Sequence, residues 1–286
     1  MMSRFRLCLG TSSQYRAPIE EQILLIKNAG FDEVFFGWKK DAPIEDWCRI
    51  AKENGIPVQS IHAPFGGCRA MWEADEDAAE DAYNDLFACL SDCEKTGTPI
   101  MISHAFIGFE VEPIVKDQGL SRYGKLIREA QKRGVTIAFE NTEGEEYLEA
   151  ILGAFGGEKN VGFCWDTGHE MCYNHSEDML AKYGRLLVCT HINDNLGIKN
   201  KDGLITWHDD LHLLPFDGIA DWENNAKRLA ATGFTGPLTF ELNTKSKPER
   251  HENDRYDAMP LTDYLAEAYK RAVCVENLVS KQLKSY

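Results

Sequence analysis

Short apolar runs alternate with amphipathic stretches from one end of the chain to the other. The runs are nearly continuous in large apolar residues, as in strands of a parallel sheet that is covered on both faces. They predict strands at residues 4–10, 32–38, 57–63, 99–105, 135–141, 161–166, 186–192 and 236–242. The amphipathic stretches predict helices at residues 18–29, 44–54, 73–95, 122–133, 145–155, 178–183, 222–231 and 261–283.

Eight strand–helix units predict a closed parallel barrel of the α/β class, a (β/α)8 TIM barrel. Such a barrel takes about 250 residues as one domain, so we expect a single domain over residues 1–286. An open doubly wound sheet is the alternative, but it would carry ligand groups only at its switch point. Residues 193–220 form a long connection, and loops of that length in compact domains tend to be binding elements.

Composition narrows the classes of partner. The chain has 31 basic and 46 acidic residues and a net charge of −15, which argues against nucleic acid as a partner. The most basic segment, KSKPER at residues 245–250, is expected to be a solvated loop. No apolar run approaches the roughly 18 residues that a membrane span needs, and the segment MMSRFRLCLGTSS is too polar for a signal peptide. Nine cysteines without a repeated C-x-x-C pattern favour a reducing, cytoplasmic setting.

Histidines and carboxylates recur at the ends of the predicted strands. They are His62, His104, Glu140, Asp166, His169, His191 and Glu241, with Asp210 and His212 in the long connection. Active sites of such barrels lie at the C-terminal ends of the strands, so we expect these nine side chains to converge on one mouth. Together they are the ligands that a hard or borderline divalent metal needs.

Each of these residues also has a plainer interpretation. A single histidine in an apolar run is more often a hydrogen-bonded core residue than a ligand, and Asp166 suits the N-cap of a following helix. Glu140 and Glu241 are harder to explain in this way, because a carboxylate that ends an apolar strand is costly to bury unless it is paired or bound to a cation.

The motifs HAPF, FENTEG, CWDTGH, HINDN, DLHLLPFDGIADW and FELN, spread over residues 62–243, resemble the xylose isomerase-like TIM barrel superfamily. That superfamily comprises sugar phosphate isomerases and epimerases together with the endonuclease IV family. The resemblance implies one divalent ion, Mn²⁺, Mg²⁺, Co²⁺ or Zn²⁺, held by Glu140, Asp166, His191 and Glu241. The ion would chelate two oxygens of a keto sugar and stabilise an enediolate.

The resemblance also implies roles for individual residues. Glu140 and Glu241 would transfer a proton on opposite sides of the substrate carbon, and His169 would hydrogen-bond a substrate oxygen. We further expect an apolar wall against the sugar, formed by Phe65, Phe106, Phe109 and Trp165, with core packing as the plainer interpretation of Trp165. Lys199 and Lys201 are candidate contacts for a substrate phosphate or carboxylate.

Alternatives within the same superfamily stay open. The positions of additional zinc ligands in the endonuclease branch are matched by His62, His104, His169, Asp210 and His212, but many sugar-type members keep these residues too. They therefore leave open more than one Zn²⁺ and a phosphodiesterase acting on abasic DNA. An inosose-type dehydratase would remove the same proton and then expel a β-hydroxyl. A non-catalytic barrel is disfavoured by the intact pair Glu140 and Glu241. The expected partner is a small carbohydrate; its identity stays open, and so does the oligomeric state, since homo-oligomers are common among similar proteins.

Overall fold

Eight parallel strands form the centre of the protein, whose computed structural model describes residues 5–109 and 111–283. The strands are β1 Leu7–Gly10, β2 Glu33–Gly37, β3 Val58–His62, β4 Ile100–His104, β5 Thr136–Glu140, β6 Val161–Asp166, β7 Leu187–His191 and β8 Leu238–Phe240. Each lies within the range that the sequence predicts. Arg4, the first residue of the first predicted strand, lies outside the described residues.

The strands form a nearly closed ring. Consecutive strands from β1 to β7 are hydrogen-bonded neighbours, and β8 pairs with β1. Between β7 and β8 the ring is joined by a bridge between Ile192 and Phe240, and the Ile192 N–H donates to the Thr239 carbonyl at 2.7 Å. The prediction of a single-domain (β/α)8 barrel is therefore confirmed, and the open doubly wound sheet is excluded.

Helices surround the ring. They are α1 Ile19–Ala29, α2 Ile44–Glu53, α3 Glu76–Thr96, α4 Asp117–Arg133, α5 Glu145–Phe155, α6 Thr167–Cys172, α7 Met179–Tyr183, α8 Trp222–Ala231, α9 Asp254–Asp257 and α10 Leu261–Leu283. The sequence pattern did not predict the short helices α6 and α9. Helix α3 begins later than residue 73 because the Asp75 side chain caps it, accepting a hydrogen bond from the Ala78 N–H.

The alternation of side chains along the strands explains which residues face the interior of the ring. Phe139 and Phe163 pack outwards, against Tyr123 of α4 and Tyr183 of α7. The residues before Phe139 and after Phe163 face inwards instead. Together with residues of β4 and β7 they form a small buried cluster of Ile102, Ala138, Cys164 and Cys189. Two residues further along each strand the same inward face is occupied by His104, Glu140, Asp166 and His191. The fold therefore aims these four side chains into the C-terminal mouth of the barrel.

The cysteines are packing residues, as the sequence predicts. All nine are free thiols, and eight of them are buried. Within residues 5–109 and 111–283, no helix is both long enough and apolar enough to cross a membrane.

Candidate metal centre

The carboxylate of Glu140 lies at the centre of the barrel mouth and is fully buried. Its Oε1 is 2.7 Å from Nδ1 of His191, and its Oε2 is 3.2 Å from Nε2 of His62 and 3.3 Å from Nε2 of His104. Nδ1 of His169 lies 3.5 Å from Oε1. Three strands and one short helix thus place imidazole nitrogens around a single carboxylate.

Four of these side chains could share one ion. Ligand atoms of Glu140, Asp166, His191 and Glu241 all lie within 4.8 Å of one another. Glu241 follows β8, and its Oε2 is 3.2 Å from Nδ1 of His191. The Glu241 side chain is 29% exposed, whereas those of Glu140 and His191 are 0% exposed. Glu241 is therefore the member of this set that faces the open mouth.

Asp166 is held in place by protein donors on both of its oxygens. Its Oδ1 accepts from the His169 N–H at 2.7 Å and so caps helix α6, which agrees with the plainer interpretation of this residue. Its Oδ2 accepts from the Asn193 side chain at 2.9 Å. The amide of Asn141 contacts the backbone of Asp166 at both its N–H and its carbonyl. Neither Asn141 nor Asn193 is predicted from the sequence, although they stand one and two residues after Glu140 and His191.

A second group lies beside the centre. The Asp210 carboxylate is 3.4 Å from Nε2 of His169 and 2.9 Å from Nε2 of His212. Ligand atoms of these three residues also lie within 4.8 Å of one another, as do those of His62, His104 and Glu140. The structure therefore brings all nine residues expected at the mouth together in one connected network.

Burial and neighbouring positive charge shift the pKa values of the carboxylates in this network in opposite directions. Burial works to raise the pKa of Glu140, but His191 and the other histidines outweigh it and hold that pKa well below its usual range. In Glu241 the histidines again outweigh burial and lower the pKa to about 2. Burial dominates at Asp166, where it raises the pKa to about 6 against the pull of His169.

These donors fit a divalent cation. Three carboxylates and one imidazole converge in a buried space, and within the described residues no lysine or arginine forms an ion pair with Glu140, Asp166 or Glu241. Burying several carboxylates is costly unless a cation or hydrogen bonds compensate them. A carboxylate-rich set with one histidine suits Mg²⁺, Mn²⁺, Co²⁺ or Zn²⁺.

Aromatic rings line the mouth, but only part of the expected wall is there. Phe65 is 45% exposed and stacks on His104 with ring centroids 4.7 Å apart. Phe109 packs against Tyr173, whose ring stacks on His169 at 4.9 Å. Tyr173 is not predicted from the sequence, because it follows β6 in the short helical region that the pattern does not reveal.

Two predicted wall residues lie elsewhere. Trp165 is buried in the outer layer, where its Nε1–H donates to Glu170 and the Arg228 guanidinium lies 5.3 Å from its ring. It stands one position away from an inward-facing residue, so strand alternation turns it towards the helices. Phe106 is buried and stacks on Tyr147 at 4.2 Å. Trp165 therefore has the core-packing role that is its plainer interpretation, and Phe106 is likewise a buried packing residue rather than part of the expected wall.

The segment 245–250 is only in part the solvated loop that its composition suggests: Lys245, Pro248 and Glu249 are exposed. The side chains of Lys247 and Arg250 are only 18% and 10% exposed. Nζ of Lys247 is 3.7 Å from Oδ2 of Asp210, and Arg250 donates to the His208 carbonyl at 3.2 Å. Both contacts join the segment to the long connection after β7, a tertiary arrangement that local charge patterns do not reveal.

The sequence model of the xylose isomerase-like TIM barrel family matches residues 23–263 of the chain. The chain belongs to the xylose isomerase-like TIM barrel family. The uncharacterized protein y4fM of Sinorhizobium fredii is 27% identical over 305 aligned residues, which cover 93% of this chain and 91% of that protein.

Solved structures of this family share the barrel. L-ribulose 3-epimerase superposes with a TM-score of 0.72 at 18% identity, over 98% of this chain and 96% of that one. The IOLI protein with a bound zinc atom gives 0.73 at 19% identity, over 97% and 99%. A xylose isomerase-like TIM barrel/4-hydroxyphenylpyruvate dioxygenase fusion protein gives 0.74 at 16% identity over 99% of this chain, which spans only 44% of that protein. These likenesses establish the fold.

Proposed function

We propose that this protein is a divalent-metal-dependent isomerase or epimerase that acts on a small sugar, a sugar phosphate or a related keto-polyol. The observation that carries the proposal is the convergence of Glu140, Asp166, His191 and Glu241 within 4.8 Å at the barrel mouth. Membership of the xylose isomerase-like family supports it, and so does the likeness of the barrel to L-ribulose 3-epimerase. The free thiols support a cytoplasmic setting as part of the same proposal.

The two glutamates differ in a way that suits proton transfer. Glu140 is fixed by three histidine nitrogens and is shielded from solvent, whereas Glu241 is partly open to the mouth. We assign removal of the carbon-bound proton to one of them and its return to the other, which inverts a centre or moves a carbonyl. We assign to His169 a hydrogen bond to a substrate oxygen. A divalent ion, when bound, supplies Lewis-acid stabilisation of negative charge on the substrate oxygens.

Solvent exchange tests the proposal across several substrate classes with a single readout. The manganese-loaded protein would be incubated in D₂O with ketopentoses, ketohexoses, their phosphates and inososes, and deuterium at carbon would be followed by NMR. We expect one class to gain deuterium and a new stereoisomer or carbonyl position. Loss of water from the same substrate would instead indicate the dehydratase reaction.

Variants connect the reaction to the glutamates. Glu140→Gln and Glu241→Gln are expected to lose at least about a hundredfold in exchange rate, the usual contribution of a general acid or base. Glu146→Gln, an exposed residue near the start of α5, is the matched control and should exchange at the wild-type rate. Full turnover and full metal content in Glu140→Gln would refute the two-glutamate mechanism.

The second group of ligands keeps a zinc phosphodiesterase as the second candidate. His169, Asp210 and His212 could hold another ion, as could His62 and His104 with Glu140. The net charge of −15 counts against a DNA substrate. Metal analysis of protein purified without chelator separates the two functions. About one exchangeable ion per chain supports the isomerase, whereas several tightly held zinc ions with nicking of abasic DNA would favour the phosphodiesterase.

A further inference from the structure

A lysine ammonium lies beside Asp210 at the rim of the mouth. Lys247 follows β8, and its side chain is 18% exposed. Its Nζ lies 3.7 Å from Oδ2 of Asp210, and Oδ1 of that carboxylate is in turn 3.4 Å from Nε2 of His169. One carboxylate therefore separates Lys247 from a histidine that we place against the substrate.

The backbone around Lys247 is held by its own hydrogen bonds. The Lys247 N–H donates to the Glu252 side chain at 3.0 Å, and the Asn253 N–H donates to the Ser246 hydroxyl at 2.9 Å. That hydroxyl donates to the Asp254 side chain at 2.8 Å. The lysine is therefore presented by a closed turn, which limits the entropy that ligand binding would cost.

The ammonium group has unused donor capacity. Its separation from Asp210 is longer than a hydrogen bond, and it also contacts the Trp207 ring, whose centroid is 5.4 Å away. Within the part of the chain that the structure describes, no acceptor is hydrogen-bonded to Nζ of Lys247. Asp210 is already shared with two histidines. A largely buried ammonium in this state favours an additional anionic partner.

We infer that Lys247 binds an anionic group of the substrate, a phosphate or a carboxylate, at the end away from the reacting carbons. The inference rests on the proposed function and narrows its substrate class to charged keto sugars. It also moves the anion contact away from Lys199 and Lys201, which are exposed and line a surface depression of about 480 Å³ with Arg250.

Matched pairs of substrates and variants test this assignment. Deuterium exchange would be compared for free ketoses, the corresponding ketose phosphates and keto sugar acids in wild type, Lys247→Met, Lys247→Arg and the control Lys199→Met. Inorganic phosphate binding to the same metal-loaded proteins would be measured by calorimetry. Metal content and the unfolding midpoint of each variant would show that the centre and the fold are intact.

We expect wild type to prefer one of the charged classes, and which class it prefers distinguishes phosphate from carboxylate. Lys247→Met should raise KM for that class at least about tenfold, the effect of losing one charge-assisted hydrogen bond. It should weaken phosphate binding to a similar extent and raise KM for free ketoses much less than KM for the charged class. Lys247→Arg should retain part of the preference, and Lys199→Met all of it.

The inference and the proposed function can fail separately. If a keto sugar exchanges deuterium but Lys247→Met alters charged and free ketoses equally, or Lys199→Met alone removes the preference, the assignment to Lys247 is overturned and the isomerase stands. If no keto sugar exchanges while Lys247→Met still loses phosphate affinity, the anion site stands and the isomerase proposal fails.

Discussion

Gly10 lacks a side chain at a point where none would fit. A Cβ atom built on it would lie 2.5 Å from the ring of Phe35, its neighbour across β1 and β2. The same ring stacks on His191, with centroids 5.0 Å apart. Gly10 therefore leaves the space that Phe35 occupies beside His191.

Gly10→Ala is predicted to disturb the metal centre without touching any of its ligands. Overpacking of this kind costs about 1–3 kcal/mol, so we expect lower stability in urea and weaker binding of Mn²⁺ in a metal titration. Gly37→Ala, at the end of β2 where a Cβ meets open space, is the matched control and should change neither. Wild-type metal affinity in Gly10→Ala would show that the stack does not position His191.

Asp166 gives the centre a predicted pH dependence. Its carboxyl must be ionised to bind metal, and burial raises its pKa to about 6. Protons therefore compete with the ion below pH 6, and the apparent Mn²⁺ affinity should rise as pH increases from 5 to 7. Calorimetry at several pH values in buffers of different ionisation enthalpy would measure the affinity and the protons released. Asp166→Asn should bind more weakly and lack the step near pH 6; the same step in that variant would assign it to another group.

Residues at strand ends were predictable and the contacts around them were not. The strand period fixes the face on which Glu140 lies, and its position after an apolar run marks it as unusual. The sequence pattern does not single out Phe35 or Lys247, because their contacts are with residues far away in the chain, His191 and Asp210.

At the scale of elements, a buried carboxylate, Asp194, ties together the end of the long connection between β7 and α8. Asp194 accepts hydrogen bonds from the backbone N–H groups of Phe216 and Ala220 and from the indole of Trp222. This fold of the loop presents Asp210 and His212 to the mouth.

Asp194→Asn should loosen that loop. The amide replaces a carboxylate oxygen that accepts hydrogen bonds with a donor, and such a buried mismatch costs about 1–3 kcal/mol. We expect a lower unfolding midpoint and faster proteolysis within residues 193–220. Asp221→Asn, an exposed N-cap of α8, keeps a good capping residue and serves as the control. Equal protease resistance in both variants would contradict the organising role of Asp194.

Long helices and strands were easier to predict from the sequence pattern than short ones. The eight strands and most helices have strong periodicity, whereas α6 spans only Thr167–Cys172 and follows β6 without a turn. Helix α4 begins at Asp117, earlier than the predicted start at residue 122. The pattern misses the first turn because it contains Gly119, which helix propensity disfavours. A Cβ at Gly119 would lie 2.1 Å from the Trp72 ring, so close packing requires the glycine there.

At the scale of the whole molecule, burial predicts the reactivity of the thiols. Of the nine free cysteines, only Cys274, on α10, is exposed. Because a thiol reagent needs access to the sulfur, the native protein should show one rapidly reacting thiol per chain, and the unfolded protein nine. Cys274→Ser should abolish the fast phase, whereas Cys48→Ser should preserve it. Several fast thiols in the native wild type would contradict the packing of the barrel.

The way the ring closes gives a bound ion an additional role. Glu140, Asp166 and His191 lie on three consecutive strands, but Glu241 follows β8, which pairs with β1 and meets β7 through a single bridge. A chain whose last strand has not docked therefore offers three of these four ligands and holds the ion more weakly. Since a ligand stabilises the state that binds it best, an ion bound by all four would stabilise the contact between β7 and β8 that closes the barrel.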